Sequence, residues 1–141
     1  MDVTGTTWIV AADGVQARVF EERVRAGEVR ERTDLRLVAD DGDHPGAHRH
    51  VSAAHGEPGR EAADEAERRF LRRVAEALER AAQAGAYERL AILAPPRALG
   101  MLRGELGPAA QRRLEVCDPH ERIRDDADAI RQHLREARAR T

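Results

Sequence analysis

Residues 7–22, TWIVAADGVQARVFEE, decide how this chain folds. Trp8 to Ala12 is a short apolar run, and Asp13-Gly14 is a two-residue turn signal. Val15 to Glu21 then alternates, with Val15, Ala17 and Val19 on one face and Gln16, Arg18 and Phe20 on the other. Together these features predict a β-hairpin. LRLVA at residues 35–39, after a connection containing Gly27, predicts a third strand and so an antiparallel meander.

Further along, the pattern changes. Residues 40–60 are rich in Asp, Gly, Pro and His and predict a flexible loop. Residues 61–84 predict a helix with Ala66, Phe70, Val74, Leu78 and Ala81 on one face, stopped by Gly85. YERLAILAP at 87–95 predicts a buried strand, and a helix follows that begins at Pro95 or Pro96 and buries Leu99, Leu102 and Leu106. Gly100 inside that helix costs about 1 kcal/mol relative to alanine, which a close approach to a strand would explain. LEVCD at 114–118 is a last short strand, and Pro119 to about Arg138 a final helix. Ile123, Ala127, Ile130, Leu134 and Ala137 form a narrow stripe on it, which either packs on the sheet or forms a homodimer seam over residues 120–138. Hairpin strands followed by strand–helix units predict an α/β fold, a mixed sheet covered by helices. With 141 residues, a single domain spanning 1–141 is expected.

Composition narrows the function. Charged residues make up 35%, yet the formal net charge is −2, which argues against a strongly basic nucleic-acid binder and leaves room for a local patch. The basic set is arginine alone, the side chain whose planar fork suits phosphate. Cys117 is the only cysteine, so no intrachain disulfide forms. No signal-peptide pattern and no membrane-length apolar run occurs, and a cytoplasmic protein is expected.

Two stretches, WIVAADGVQARVFE and ERLAILAPPRALGMLRGEL, stand beside HPG at 44–46, PGR at 58–60 and a charged helix carrying Phe70. Together they resemble the bacterial host-attachment protein family, named for a requirement in attachment to host cells. The resemblance covers roughly residues 7–118, and APPRALGMLR is its most specific part. The matching positions are Asp13, Gly14, Arg18, Pro45, Gly59, Arg60, Pro95, Pro96, Arg97, Gly100 and Arg103. That family is similar in turn to the middle domain of archaeal and eukaryotic class-1 peptide chain release factors. There, a long loop after the meander carries Gly-Gly-Gln to the peptidyl-transferase centre. The resemblance implies a release-factor-middle-domain-like fold and a ribosome-facing module working through the 40–60 loop, of the rescue or hibernation type. This chain has no Gly-Gly-Gln, so peptide release by that chemistry is not expected. DPHERIRDD at 118–126 replaces the family's Lys-Asp-Leu-Thr-like stretch, so contacts made through that stretch are not carried over.

Three sets of candidate residues follow. Arg97 and Arg103 flank a helix whose N-terminus favours anions, and with Arg60 they form a candidate site for phosphate or RNA backbone, unless carboxylates pair with them. His44, His48, His50 and His55, with Asp40, Asp41 and Asp43 nearby, supply enough donors for a metal, but in no ordered spacing. Asp13, Glu21 and Asp118 are the carboxylates that a metal-dependent nuclease would need to bring together. Neither Cys117 in a strand nor Ser52 in the loop sits in a nucleophile motif, and no cofactor motif occurs. The sequence therefore favours a non-enzymatic cytoplasmic protein that binds ribosomes or structured RNA. Its role in attachment would be indirect. The alternatives are a metal-dependent hydrolase using the histidine loop and a dimeric interaction module.

Overall fold

The computed structural model describes residues 5–40 and 56–140. Its centre is β1 (Thr7–Ala12), in which every residue is buried. Antiparallel β2 (Gln16–Glu22) flanks it on one side, paired from Ala12↔Ala17 to Thr7↔Glu22, and parallel β5 (Arg89–Leu93) on the other. Beyond β5 lies parallel β6 (Leu114–Asp118), and beyond β2 lie β3 (Val29–Glu31) and β4 (Leu37–Val38). The result is the mixed six-stranded sheet that hairpin-then-crossover patterning predicts.

Side chains alternate across this sheet, so each face needs its own cover. Trp8, Val10 and Ala12 meet α1 (Gly56–Gln83), α2 (Pro96–Glu105) and α3 (Pro108–Arg113) through Phe70, Leu78, Leu102 and Ala110. Ile9 and Ala11, with Phe20, Ala91 and Leu93, meet α4 (Ala127–Arg140) through Ile130, Leu134 and Ala137. The first core also holds Tyr87, stacked on Trp8 at 5.0 Å and donating its hydroxyl to the Leu78 carbonyl at 2.7 Å. Burial pushes the Tyr87 phenol up to about 12. The turn that follows α1 contains Gly85, whose φ of 74° is the left-handed conformation that glycine adopts without strain.

Several elements differ from the sequence expectation, each for a local reason. The hairpin closes on Gly14 and Val15, because the Asp13 carboxylate accepts the N–H groups of Val15 (2.9 Å) and Gln16 (2.8 Å). Gly14 serves a different purpose from the expected one. A Cβ on it would lie 2.9 Å from Cγ of Glu67 on α1. The predicted third strand at 35–39 is an edge strand in two pieces. From Glu31 to Leu37 it advances six residues while β2 advances three, from Phe20 to Ala17, and a 3-10 turn at Thr33–Leu35 takes up the excess. Helix α1 begins at Gly56, so Gly59 and Arg60 are helical; Pro58 is tolerated because the first turn needs no N–H donors. The remainder of the predicted 40–60 loop, with His44, Pro45, His48, His50 and His55, lies outside the described residues from Asp41 onward.

The last helix starts at Ala127 instead of Pro119. Asp126 caps it by accepting the Ala129 N–H at 2.9 Å. Ahead of the cap, the chain makes a turn in which the Asp125 N–H donates to the Arg122 carbonyl at 3.0 Å, and Arg18 pins it by donating to the carbonyls of Ile123 and Asp125, both at 2.7 Å. Ile123, Ile130, Leu134 and Ala137 are all buried within the chain itself. The apolar stripe is consumed by the sheet and is not available as the dimer seam that residues 120–138 had suggested.

Arg18 also donates to Glu31, which receives Arg36 as well. Hydrogen bonds from Arg36 and Arg18 lower the Glu31 carboxyl from 4.5 to about 2. A depressed carboxyl stabilises the fold above its unfolded value and loses that contribution as pH falls through the folded one. Glu31→Gln should therefore be less stable than the parent at pH 7. The gap in Tm should narrow below about pH 4.5 and close near pH 2. A gap that stays constant across a pH series of thermal melts would contradict the assignment.

Candidate functional site

Because β1, β5 and β6 are parallel, their carboxyl ends, at Ala12, Leu93 and Asp118, share one edge of the sheet. Open α/β sheets gather ligands outside this edge, where loops diverge between strand and helix. Three family-matched stretches meet there: the Asp13–Gln16 turn, the Pro95-Pro96 corner, and the first turns of α1. The end of β4 lies near the same edge, since Val38 pairs with Gln16 and Leu37 with Ala17.

Pro95 is extended (φ −59°, ψ 153°), and Pro96 starts α2 with a ring-fixed φ. The Leu99 N–H returns to the Pro95 carbonyl at 2.8 Å. No side chain caps this terminus and its first turn holds no acidic residue, so its amides keep their positive end of the dipole. The Arg97 guanidinium does not stand free. It contacts Asp64 at 2.5 Å and Glu67 at 3.6 Å, both on α1. Glu67 in turn lies over Gly14, so the hairpin turn, α1 and α2 form one linked cluster. Arg60 is exposed on α1, one turn before Asp64.

The Arg103 side chain has no hydrogen-bond or ion-pair partner among the described residues. Its charge acts on Cys117, whose thiol is nonetheless pushed up by burial, which disfavours a thiolate nucleophile. Gly100 corrects an expectation. It is exposed, and a Cβ added to it would meet nothing within 4 Å, so no strand approaches it. Gly104, one turn on, is equally open. Pro96, Arg97, Gly100, Arg103 and Gly104 are all exposed, and their helical spacing confines them to one face of α2. That face is a bare backbone ridge flanked by two guanidinium groups.

The carboxylates do not assemble. Asp13 is engaged in its turn, while Glu21 pairs with Arg23 and Arg32 near the far end of the hairpin. Asp118 is buried and accepts from His120 (2.5 Å), Arg122 (3.4 Å) and Arg140 (3.5 Å), which ties the loop after β6 and the end of α4 to the sheet. Among the described residues, no three of His, Cys, Asp and Glu come together as metal ligands would. Four arginines of α1 are also paired: Arg68 and Arg69 with Glu65, Arg72 with Glu105, and Arg73 with the Val38 carbonyl and Asp40. The Asp118 cluster had no signal in the sequence beyond an acidic residue at a strand end. No helix among the described residues is long and apolar enough to cross a membrane.

Comparison with known families and proteins adds two findings. A family model described as "Protein required for attachment to host cells" matches residues 8–134. No curated protein matches the chain.

The open surroundings of Gly100 carry an expected outcome. Gly100→Ala should stabilise the protein by about 1 kcal/mol in a urea melt, since a helix-interior glycine gives up that much and nothing obstructs the methyl group. A loss of stability would mean that the α2 face is covered by part of the chain itself.

Proposed function

Since the chain belongs to the family of proteins required for attachment to host cells, we propose that it acts there as a non-enzymatic binder of the ribosome or of structured RNA. The observation that carries this reading is the outer face of α2. An uncapped helix N-terminus, Arg97, Arg103 and two unobstructed glycines lie on one surface, with Arg60 close by on α1. Glycine lets another backbone approach a helix closely, and arginine forks fit phosphate oxygens. The paired Arg97 supplies positioning, because a phosphate has to compete with Asp64 and Glu67 for it. Arg103 carries no such competitor and contributes more of the attraction. The expected similarity of the family to the release-factor middle domain is the reason for favouring the ribosome among polyanions. The role in host attachment is then indirect, through translation under stress.

Charge neutralisation on RNA releases counterions, so binding of this kind weakens steeply with salt. Co-sedimentation of untagged protein with ribosomes should be saturable at low salt. The Arg97→Ala/Arg103→Ala variant should bind more weakly, with a log–log salt slope shallower by about two. Absence of binding at low salt, or equal binding by the double variant, would reject the reading. A Gly100→Ala variant that is stable yet binds less well would locate the contact on the α2 ridge.

A further inference from the structure

The opposite end of the sheet, where β2 finishes at Glu22, holds a cavity of about 330 Å³ between the turn after β2 and the outer side of α4. Four guanidinium groups line it: Arg25 from the turn, and Arg131, Arg135 and Arg138 from α4. The i, i+4, i+7 spacing of the last three puts them on one helix face. We propose that this cavity binds a small phosphorylated ligand, a phosphomonoester or a diphosphate, whose phosphoryl oxygens are held by Arg131 and Arg135.

The charges in and around the cavity do not cancel. Glu22 is buried and takes both terminal nitrogens of Arg138, each at 2.8 Å. Glu115 receives Arg25 at 2.6 Å and the Arg138 Nε at 3.0 Å. Two carboxylates therefore offset two of the four cations, leaving two positive charges in a chain whose formal net charge is −2. Arg135 is exposed and has no hydrogen-bond or ion-pair partner among the described residues. Arg131 is anchored but incompletely satisfied. Its Nη2 donates to the Ala26 carbonyl at 2.9 Å, whereas its Nε is buried with no hydrogen-bond partner.

The turn is shaped for the same purpose. Ala26 is the one non-glycine residue at positive φ among the described residues, at 66°. Its N–H donates to Glu22 at 3.0 Å while its carbonyl accepts from Arg131, so both of its polar groups brace the cavity wall. Backbone strain persists where the surroundings over-determine it, and it clusters at ligand sites. A dianion suits two uncompensated guanidinium forks better than a single carboxylate does. The volume lies at the small end of ligand pockets, enough for a phosphoryl group with a modest organic part. The carbonyls at the end of α4 oppose an anion only within the last turn, which favours Arg131 and Arg135 over Arg138 as the holding pair. This site is independent of the α2 face.

Isothermal titration at constant ionic strength tests the proposal with inorganic phosphate, inorganic pyrophosphate and ribose 5-phosphate, beside succinate as a dicarboxylate. At least one phosphate probe should bind saturably at one per chain. Preference for ribose 5-phosphate would identify an organic phosphomonoester, and preference for pyrophosphate a diphosphate. Succinate should bind at least tenfold more weakly. Arg135→Ala removes no intramolecular bond, so it should keep its circular dichroism and Tm while weakening binding at least tenfold. Arg23→Ala, at an exposed site outside the cavity, should leave binding unchanged. The proposal is overturned if no phosphate probe saturates, if succinate binds as tightly, or if Arg135→Ala binds like the parent.

Discussion

Everything in this molecule is arranged around β1, a strand that has no solvent face. Its six residues are buried, and its backbone is paired on both edges, antiparallel to β2 and parallel to β5. A strand in that position needs side chains covered above and below, and helices on both faces provide most of that cover. Helices α1, α2 and α3 cover one face, and α4 covers the other. The antiparallel hairpin gives the sheet its second edge, where the short β3 and β4 end the pairing. Two pieces broken by a 3-10 turn make a poor template for a further strand, which protects that edge.

Arginine ties these layers together. Arg18 reaches from β2 to the chain ahead of α4 and also to Glu31, and its guanidinium lies 4.9 Å from the centre of the Phe20 ring. Arg138 reaches from α4 to Glu22 and Glu115 on two different strands. These pairs are largely withdrawn from water, so truncating one partner strands the other; for such buried pairs the cost is roughly 3–5 kcal/mol. Exposed pairs such as Arg30 with Glu28 contribute little by comparison, because solvent screens them. A low net charge thus conceals a sharp division of labour. Most of the described arginines are committed to internal partners, and Arg103 and Arg135 are among the few that are not. One lies on the outer face of α2 and the other at the cavity beside α4, at separate places in the fold.

Chain pattern alone determined a good deal. Strand β1, β2, β5 and β6, helix α1 and the corner at Pro95-Pro96 follow from apolar runs, alternation, helical periodicity and proline placement, because each of these signals is written within a few neighbouring residues. The host-attachment family was also legible from the residues of the hairpin and the APPRALGMLR segment. What local pattern could not supply was decided by contacts between distant residues. The edge strand broke in two because three surplus residues had to be absorbed against β2. The residues before α4 turn instead of joining the helix because Arg18, more than a hundred positions earlier, claims the carbonyls of Ile123 and Asp125. Gly14 is needed by Glu67 of a distant helix, while Gly100 faces open space. The pairing of Arg97, the freedom of Arg103 and the cavity between Ala26 and α4 likewise exist only once the helices dock. Electrostatic partners are set by distance in space, and a sequence of interleaved arginines and carboxylates is compatible with many pairings until the fold selects one.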